Sequence, residues 1–204
     1  MNKPAETTET DERFADRRER SRRKRGAKPK GWREELADWL KSLAFAVVVV
    51  AVLKLFVFDL TIVHGISMEP TLKTGERLLV NKIGYRLGGP ARGDIAVLVD
   101  PAPTPGDSKY IVKRVIGVAG DTIEIRGGVL YVNGERLAEP YADVAIAGPD
   151  FGPLTVEPGK VFVMGDNRRS GASKDSRSFG TVPAGSLLGK AEFILWPIPR
   201  WKKI

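Results

Sequence analysis

The chain has 204 residues, 42% of them hydrophobic, enough for one domain with its own core and an appendage. It holds no cysteine and one histidine, His64. This excludes disulfide frameworks, thiolate metal sites, a cysteine nucleophile and paired-histidine zinc sites, and leaves a Ser-His-Asp triad one candidate base. Thirty-three Lys and Arg against 25 Asp and Glu give a net charge of +8, a balance suited to anionic lipid, nucleic acid or an acidic partner.

From Arg17 to Lys30 there are nine basic residues and one acid, Glu19. With so few apolar side chains the segment cannot offset its chain entropy, so residues 1–41 are expected to form a disordered basic cytoplasmic tail and juxtamembrane segment. Residues 43–53 are eleven apolar residues in a row, followed by Lys54 and then LFVF before Asp59. As a helix, residues 43–58 span roughly 24 Å, against ~30 Å of bilayer hydrocarbon. A buried helix of a soluble protein is one reading of such a run. The upstream basic charge, Trp32 and Trp39 at interfacial positions, and a Lys54 able to snorkel favour a transmembrane anchor over residues 42–60. The following KLFVFDLTIVHGIS lacks the small-x-small site of a cleavable signal. The anchor is therefore read as uncleaved and single-pass in the cytoplasmic membrane, amino terminus cytoplasmic and residues 61–204 extracytoplasmic.

Beyond the anchor the pattern turns to short Val-, Ile- and Leu-rich runs bounded by Gly, Pro and Asp. Strands are expected at 77–80 (RLLV), 94–99 (DIAVLV), 110–118 (YIVKRVIGV), 122–125 (TIEI), 129–132 (VLYV) and 160–164 (KVFVM), with another over 60–63. Asn133-Gly134 is a two-residue hairpin signal. The Pro-rich stretches 101–106 and 147–158 read as surface loops. The fold class is mainly β, behind one amino-terminal transmembrane helix.

With cysteine absent and histidine nearly so, a nucleophilic enzyme needs a Ser or Thr activated by something else, and a desolvated lysine can serve. Period-two alternation puts Lys113 on one strand face with Ile111 and Val115, where burial lowers an amine's pKa. The same pattern also describes an edge-strand lysine whose stem covers apolar surface while its amine reaches water. Ser67 lies in HGISMEPTL, at a turn ahead of a proline, and by itself is one serine among many. His64 stands three residues before it, and odd spacing in a continuing strand sends the two side chains to opposite faces. Trp196 and Trp201, close to Lys202 and Lys203, suit either a lipid interface or a packed carboxy-terminal strand.

Gly65-Ile-Ser-Met-Glu-Pro-Thr-Leu72, directly after a membrane span, resembles the nucleophile motif of bacterial type I signal peptidases. The resemblance continues in order through Arg77-Leu-Leu-Val-Asn-Lys82, Arg92-Gly-Asp-Ile-Ala-Val97 and Tyr110-Ile-Val-Lys-Arg-Val-Ile-Gly-Val-Ala-Gly-Asp121. It ends with Met164-Gly-Asp-Asn-Arg168 and Ser173-Lys-Asp-Ser-Arg177 before Phe179-Gly180. It covers roughly residues 32–204.

The resemblance implies a signal-peptidase-like β catalytic domain and a membrane-anchored serine endopeptidase that removes signal peptides from exported preproteins by a Ser-Lys dyad. It makes Ser67 the nucleophile and Lys113 the general base, with the Ser173 hydroxyl orienting the amine. Asp175, Arg177, Asp166 and Arg168 would brace the site, and the backbone N–H groups of Ser67 and Gly65 would serve the oxyanion. Some relatives carry a serine at the position of Gly65, and Arg169-Ser-Gly-Ala172 lengthens the spacing before Ser173. No cofactor or metal is implied; the expected partners are signal peptides and membrane lipid, with no nucleic acid. Two rivals are a self-cleaving repressor-type Ser-Lys protease, which would carry a helix-turn-helix where this chain carries a span, and a membrane scaffold whose basic tail binds nucleic acid or lipid.

Overall fold

The structure, a computed structural model, describes residues 31–106 and 108–204; most of the expected disordered tail lies outside the described residues. Helix α1 covers Trp32–Val52 and continues through a π-helical turn, Leu53–Val57. This unbroken stretch of 26 residues is long and apolar enough to cross a membrane, reaching about 39 Å at ~1.5 Å per residue. None of the side chains of α1 is buried, as fits a helix whose surroundings are not protein. Trp32 and Trp39 are exposed. The helix takes in residues 32–41, expected to precede the anchor, while Phe58, Asp59 and Leu60 leave the expected anchor for the first strand.

The remainder is built from strands β1 (Phe58–Ile62), β2 (Arg77–Asn81), β3 (Ile95–Val99), β4 (Tyr110–Val118), β5 (Thr122–Arg126) and β6 (Val129–Val132), followed by β7 (Glu135–Arg136), β8 (Phe151–Thr155), β9 (Lys160–Met164), β10 (Val182–Pro183), β11 (Leu187–Trp196) and β12 (Lys202–Lys203). Two short helices, α2 (Ile83–Leu87) and α3 (Ser176–Phe179), interrupt them. The larger sheet runs β1-β2-β11-β3-β4-β9-β10, with β12 on β11; the smaller runs β7-β6-β5-β8. The strand pairs are antiparallel. A mainly β fold is thus what the alternating pattern produces.

Alternation builds the core directly. In β3, Ile95 and Val97 join Leu78, Val80, Ala191 and Ile194 in one buried cluster, while Ala96 and Leu98 join Val115, Val161 and Val163 in another. A third cluster joins the small sheet, through Ile123, Ile125, Leu130 and Val132, to Phe162 and Met164 of β9. The hairpin at Asn133-Gly134 closes β6 on β7 with Val132 opposite Glu135. Both turn residues have positive φ, 56° and 81°, the mirror-image turn that matches strand twist.

Among the strands that escape the sequence pattern are β11 and β8. β11 is the longest strand and lies inside the sheet, between β2 and β3. Its sequence LLGKAEFILW carries Gly189, Lys190 and Glu192, and register shifts against both neighbours break the two-residue period. Each charge is answered: Lys190 pairs with Asp94 at 2.5 Å, and Glu192 accepts a hydrogen bond from Asn81 at 3.0 Å. β8 corrects the expectation of an irregular loop over 147–158. Pro153 is tolerated because β8 is the edge of the small sheet, and Gly152 allows a close approach, since a Cβ there would lie 2.5 Å from the Ile123 carbonyl oxygen. At the carboxy terminus β12 does pair with β11, yet Trp196 and Trp201 stay exposed, so strand pairing there does not bury the indoles.

Candidate active site

Ser67 sits in a tight turn after β1. Glu69 N–H bonds the Ile66 carbonyl and Leu72 N–H bonds the Met68 carbonyl, at 3.1 and 2.9 Å. Met68 and Leu72 are driven into the first core cluster, and burial of such a side chain contributes about 1.5–3 kcal/mol. The hydrophobic effect thus fixes the turn while leaving Ser67 half-buried at its surface. From the other side, Asn167 donates its backbone N–H to the Ser67 carbonyl at 3.0 Å and its side-chain amide to the Ile66 carbonyl at 3.1 Å.

Lys113 lies on β4, an interior strand between β3 and β9, so it is not an edge-strand lysine. It faces Ala96 across the ladder, and Ile111 and Val115 pack in the cluster that contains Ala96. The residue is 3% exposed. Its Nζ donates to Ser67 Oγ at 2.7 Å and reaches its neighbour's carbonyl, that of Val112, at 3.2 Å. Burial, which penalises the ammonium, outweighs the nearby carboxylates of Asp175, Asp100 and Asp166 and brings the amine down to about 8. An amine of that kind, in contact with a hydroxyl, can take its proton near neutral pH.

The bracing residues form paired charges around this contact. Asp166 is fully buried and takes a two-point bond from Arg114, at 2.8 and 2.7 Å, plus the Thr71 hydroxyl at 2.6 Å. Asp175 caps α3, accepts Arg177 side-chain bonds at 2.8 and 2.9 Å, and accepts the Gly165 N–H at 3.3 Å. Arg168, also fully buried, is held by Glu139 at 2.5 Å. The Tyr141 ring lies 4.0 Å from the Arg114 guanidinium and 5.8 Å from that of Arg168. Ser173 Oγ is buried in this corner with no hydrogen-bond partner, so its expected bond to the Lys113 amine is not made.

His64 and Gly65 are exposed and line, with Ser67 and Lys113, a cavity of about 770 Å³. No hydrogen bond joins His64 to Ser67 among the described residues. Gly65 has φ +83° and its carbonyl accepts the Thr74 hydroxyl at 2.8 Å. Among the described residues no group of His, Asp and Glu could hold a metal ion.

Arg114, Thr71, Glu139, Tyr141, Gly165 and Asn167 were not singled out from sequence. Arg114 was legible in part, since alternation puts it on the strand face opposite Lys113; nothing local marks Glu139 or Tyr141, which arrive from a loop beyond the small sheet. A methyl group on Gly165 would collide with the Ser67 carbonyl oxygen and Ser173 Oγ. Gly165→Ala is therefore expected to lower the cleavage rate at least about tenfold and to cost about 1–3 kcal/mol of stability, as overpacking does. Melting and turnover of the same preparation check it.

Over residues 36–196 the chain matches the family model for signal peptidase, peptidase S26. It is 39% identical over 184 residues to signal peptidase I of Bacillus licheniformis, covering 84% of this chain and 94% of that protein. It is 37% identical over 187 residues to signal peptidase IB of Staphylococcus aureus strain N315, covering 83% and 94%. A solved signal peptidase I from Enterococcus faecalis V583 is 37% identical and covers 50% of this chain and 95% of that chain, with a TM-score of 0.40. With two thirds of its length and more aligned to such relatives, the chain belongs to the signal peptidase family, peptidase S26, and is a serine peptidase of the type I signal peptidase class that removes signal peptides from preproteins.

Proposed function

We propose that Ser67 is the nucleophile and Lys113 the general base of this peptidase. The observation that supports the reading is the 2.7 Å contact between Lys113 Nζ and Ser67 Oγ, made by an amine almost wholly removed from water. Neutral Lys113 accepts the hydroxyl proton as Ser67 Oγ attacks the scissile carbonyl carbon. The backbone N–H of Ser67, with that of Gly65, stabilises the oxyanion. Protonated Lys113 then gives its proton to the leaving amine, and the neutral amine so regenerated draws a proton from the water that hydrolyses the acyl-enzyme. Asp166, Asp175, Arg168 and Arg177 hold the backbone around the dyad. Ser173 would orient the amine only by turning its unpartnered hydroxyl toward Lys113, a bond that this structure does not make.

The substrate is read as an extended strand laid along the edge strand β1, whose residues Leu60, Thr61 and Ile62 line the cavity, with small side chains at −1 and −3. The helix Trp32–Val57 is read as the anchor, with residues 1–31 cytoplasmic and the β domain outside; membrane lipid is then a constant partner, and nucleic acid has no role. Preproteins with Ala at −1 and −3 are expected to be cut, and Ala→Phe at −1 to stop cleavage, because a ring cannot enter a pocket shaped for a methyl group. Protease added to intact spheroplasts is expected to degrade the β domain and spare the tail. Equal turnover of both substrates defeats the specificity reading, and an externally protected Ser67 defeats the orientation.

A further inference from the structure

Three carboxylates bear on the charge of the Lys113 amine: Asp175, Asp100 and Asp166. Each comes from a different place, after β3 for Asp100, after β9 for Asp166 and at the cap of α3 for Asp175. All are almost inaccessible: Asp100 is 5% exposed, Asp166 0% and Asp175 1%. In so dry a corner an ionised acid without its own counter-cation holds a proton on the nearest amine. A lysine that must lose its proton therefore needs every neighbouring acid to be paired with something else.

Two of the acids are paired with guanidinium groups, Asp166 with Arg114 and Asp175 with Arg177, which stay charged at any working pH. Asp100 has no arginine. Its Oδ2 accepts Lys174 Nζ at 3.1 Å, the same ammonium donates to the Ala102 carbonyl, and Oδ1 accepts the Ala102 N–H at 2.9 Å. Lys174 stands between Ser173 and Asp175, and it lines the cavity together with Asp100, Ser67 and Lys113. The other titratable groups near Asp100 are Lys109, whose carbonyl accepts the Asp100 N–H at 3.0 Å, Tyr110 on the Lys113 strand and His64 on the Ser67 segment. Among the described residues the side chains that bond the Asp100 carboxylate do not include any of these.

We propose that Lys174 is a positioning residue of the reaction, the counter-cation of Asp100 that leaves Lys113 as the one ammonium of the cluster with no acid of its own. Four cations, Arg114, Arg177, Lys174 and Lys113, face three carboxylates, and the fourth cation is the one that can become neutral. The lysine of the SKDSR motif would thus set the working pH by countering Asp100. The inference rests on Lys113 being the base.

The test is kcat/KM against pH for the full-length enzyme in detergent or lipid, with a preprotein substrate. Lys174→Met is expected to move the acidic limb to higher pH, a loss of about tenfold near pH 7 that fades by about pH 10. Lys174→Arg is expected to restore the limb, and so is Asp100→Asn added to Lys174→Met, since no acid then remains to be countered. Asp100→Asn alone keeps the Ala102 contact and is expected to move the limb to lower pH, which covers the case of a Lys174→Met protein that does not fold. An unmoved limb in Asp100→Asn, or a loss in Lys174→Met that is equal at every pH, overturns the proposal. Lys113→Arg is measured alongside: an active Lys113→Arg ends the dyad reading itself, whereas an inactive one with unmoved limbs ends only the role of Lys174.

Discussion

Ser67→Ala and Lys113→Arg are both expected to reduce preprotein cleavage by about 10⁴-fold or more, because neither variant retains a nucleophile with a base that can neutralise itself. His64→Ala is expected to keep most activity, since His64 is exposed on the cavity rim. In the wild type the amine must be neutral to work, so kcat/KM should rise with pH and level off above a midpoint near 8, where burial has brought Lys113 from 10.5. The same burial carries a stability signature. The folded-state pKa lies below the unfolded one, so the folded protein is penalised fully below about pH 8 and is relieved of the penalty as pH rises toward 10.5. Lys113→Met removes that penalty. It should be inactive yet more stable by about 3 kcal/mol at neutral pH, taking ~1.36 kcal/mol per tenfold change in proton affinity, and the gain should vanish above about pH 10.5. Denaturant unfolding at pH 7 and pH 10.5 measures both ends. A Lys113→Met protein less stable than wild type at pH 7 would mean that the amine is held by attraction rather than tolerated for its chemistry.

Asp166→Ala is expected to be the most damaging change to the fold among the bracing residues. Arg114 would lose both of its bonds to the carboxylate while keeping a buried guanidinium with the Gly93 carbonyl at 2.8 Å and the Tyr141 ring at 4.0 Å, neither of them an opposite charge, and Thr71 would lose its acceptor. Breaking one side of a buried pair costs about 3–5 kcal/mol, because the remaining charge has no water to return to. Asp143→Ala serves as the contrast: its pair with Arg169 has both side chains largely in solvent, and such pairs contribute little. Thermal melts should show a large fall for the first and none for the second. Activity should follow, since the Thr71 hydroxyl ties the segment after Ser67 to Asp166 and Asn167, next to Asp166, holds the Ser67 carbonyl.

What could be read from the chain alone follows from local rules. The apolar run before residue 58 marked a helix long enough to cross a membrane, and a helix is what forms there. Strands β4, β6 and β9 begin and end where the Val-, Ile- and Leu-rich runs begin and end, and Asn133-Gly134 makes the turn that its tolerance of positive φ allows. The order of motifs from Gly65 to Gly180 was enough to nominate Ser67 and Lys113. The limits of α1 and β1 were less legible, because Phe58, Asp59 and Leu60 suit a membrane helix and an edge strand about equally.

Tertiary structure decided the rest. β11 reads poorly because its charges and Gly189 are satisfied only by Asp94, Asn81 and the close approach of β2, and its register shifts erase the period on which sequence reading depends. β8 is a strand because an edge can accept a proline. Lys113 has the same alternation pattern whether it lies at an edge or inside a sheet; its burial at 3% exposure, with Ser67 Oγ on its amine, is set by the assembled fold. The ion pairs Arg114–Asp166, Arg168–Glu139 and Lys174–Asp100 join residues 52, 29 and 74 apart in the chain. Such pairings have no local signature, because a charge is selected by the field at its place in the fold and not by its neighbours in sequence.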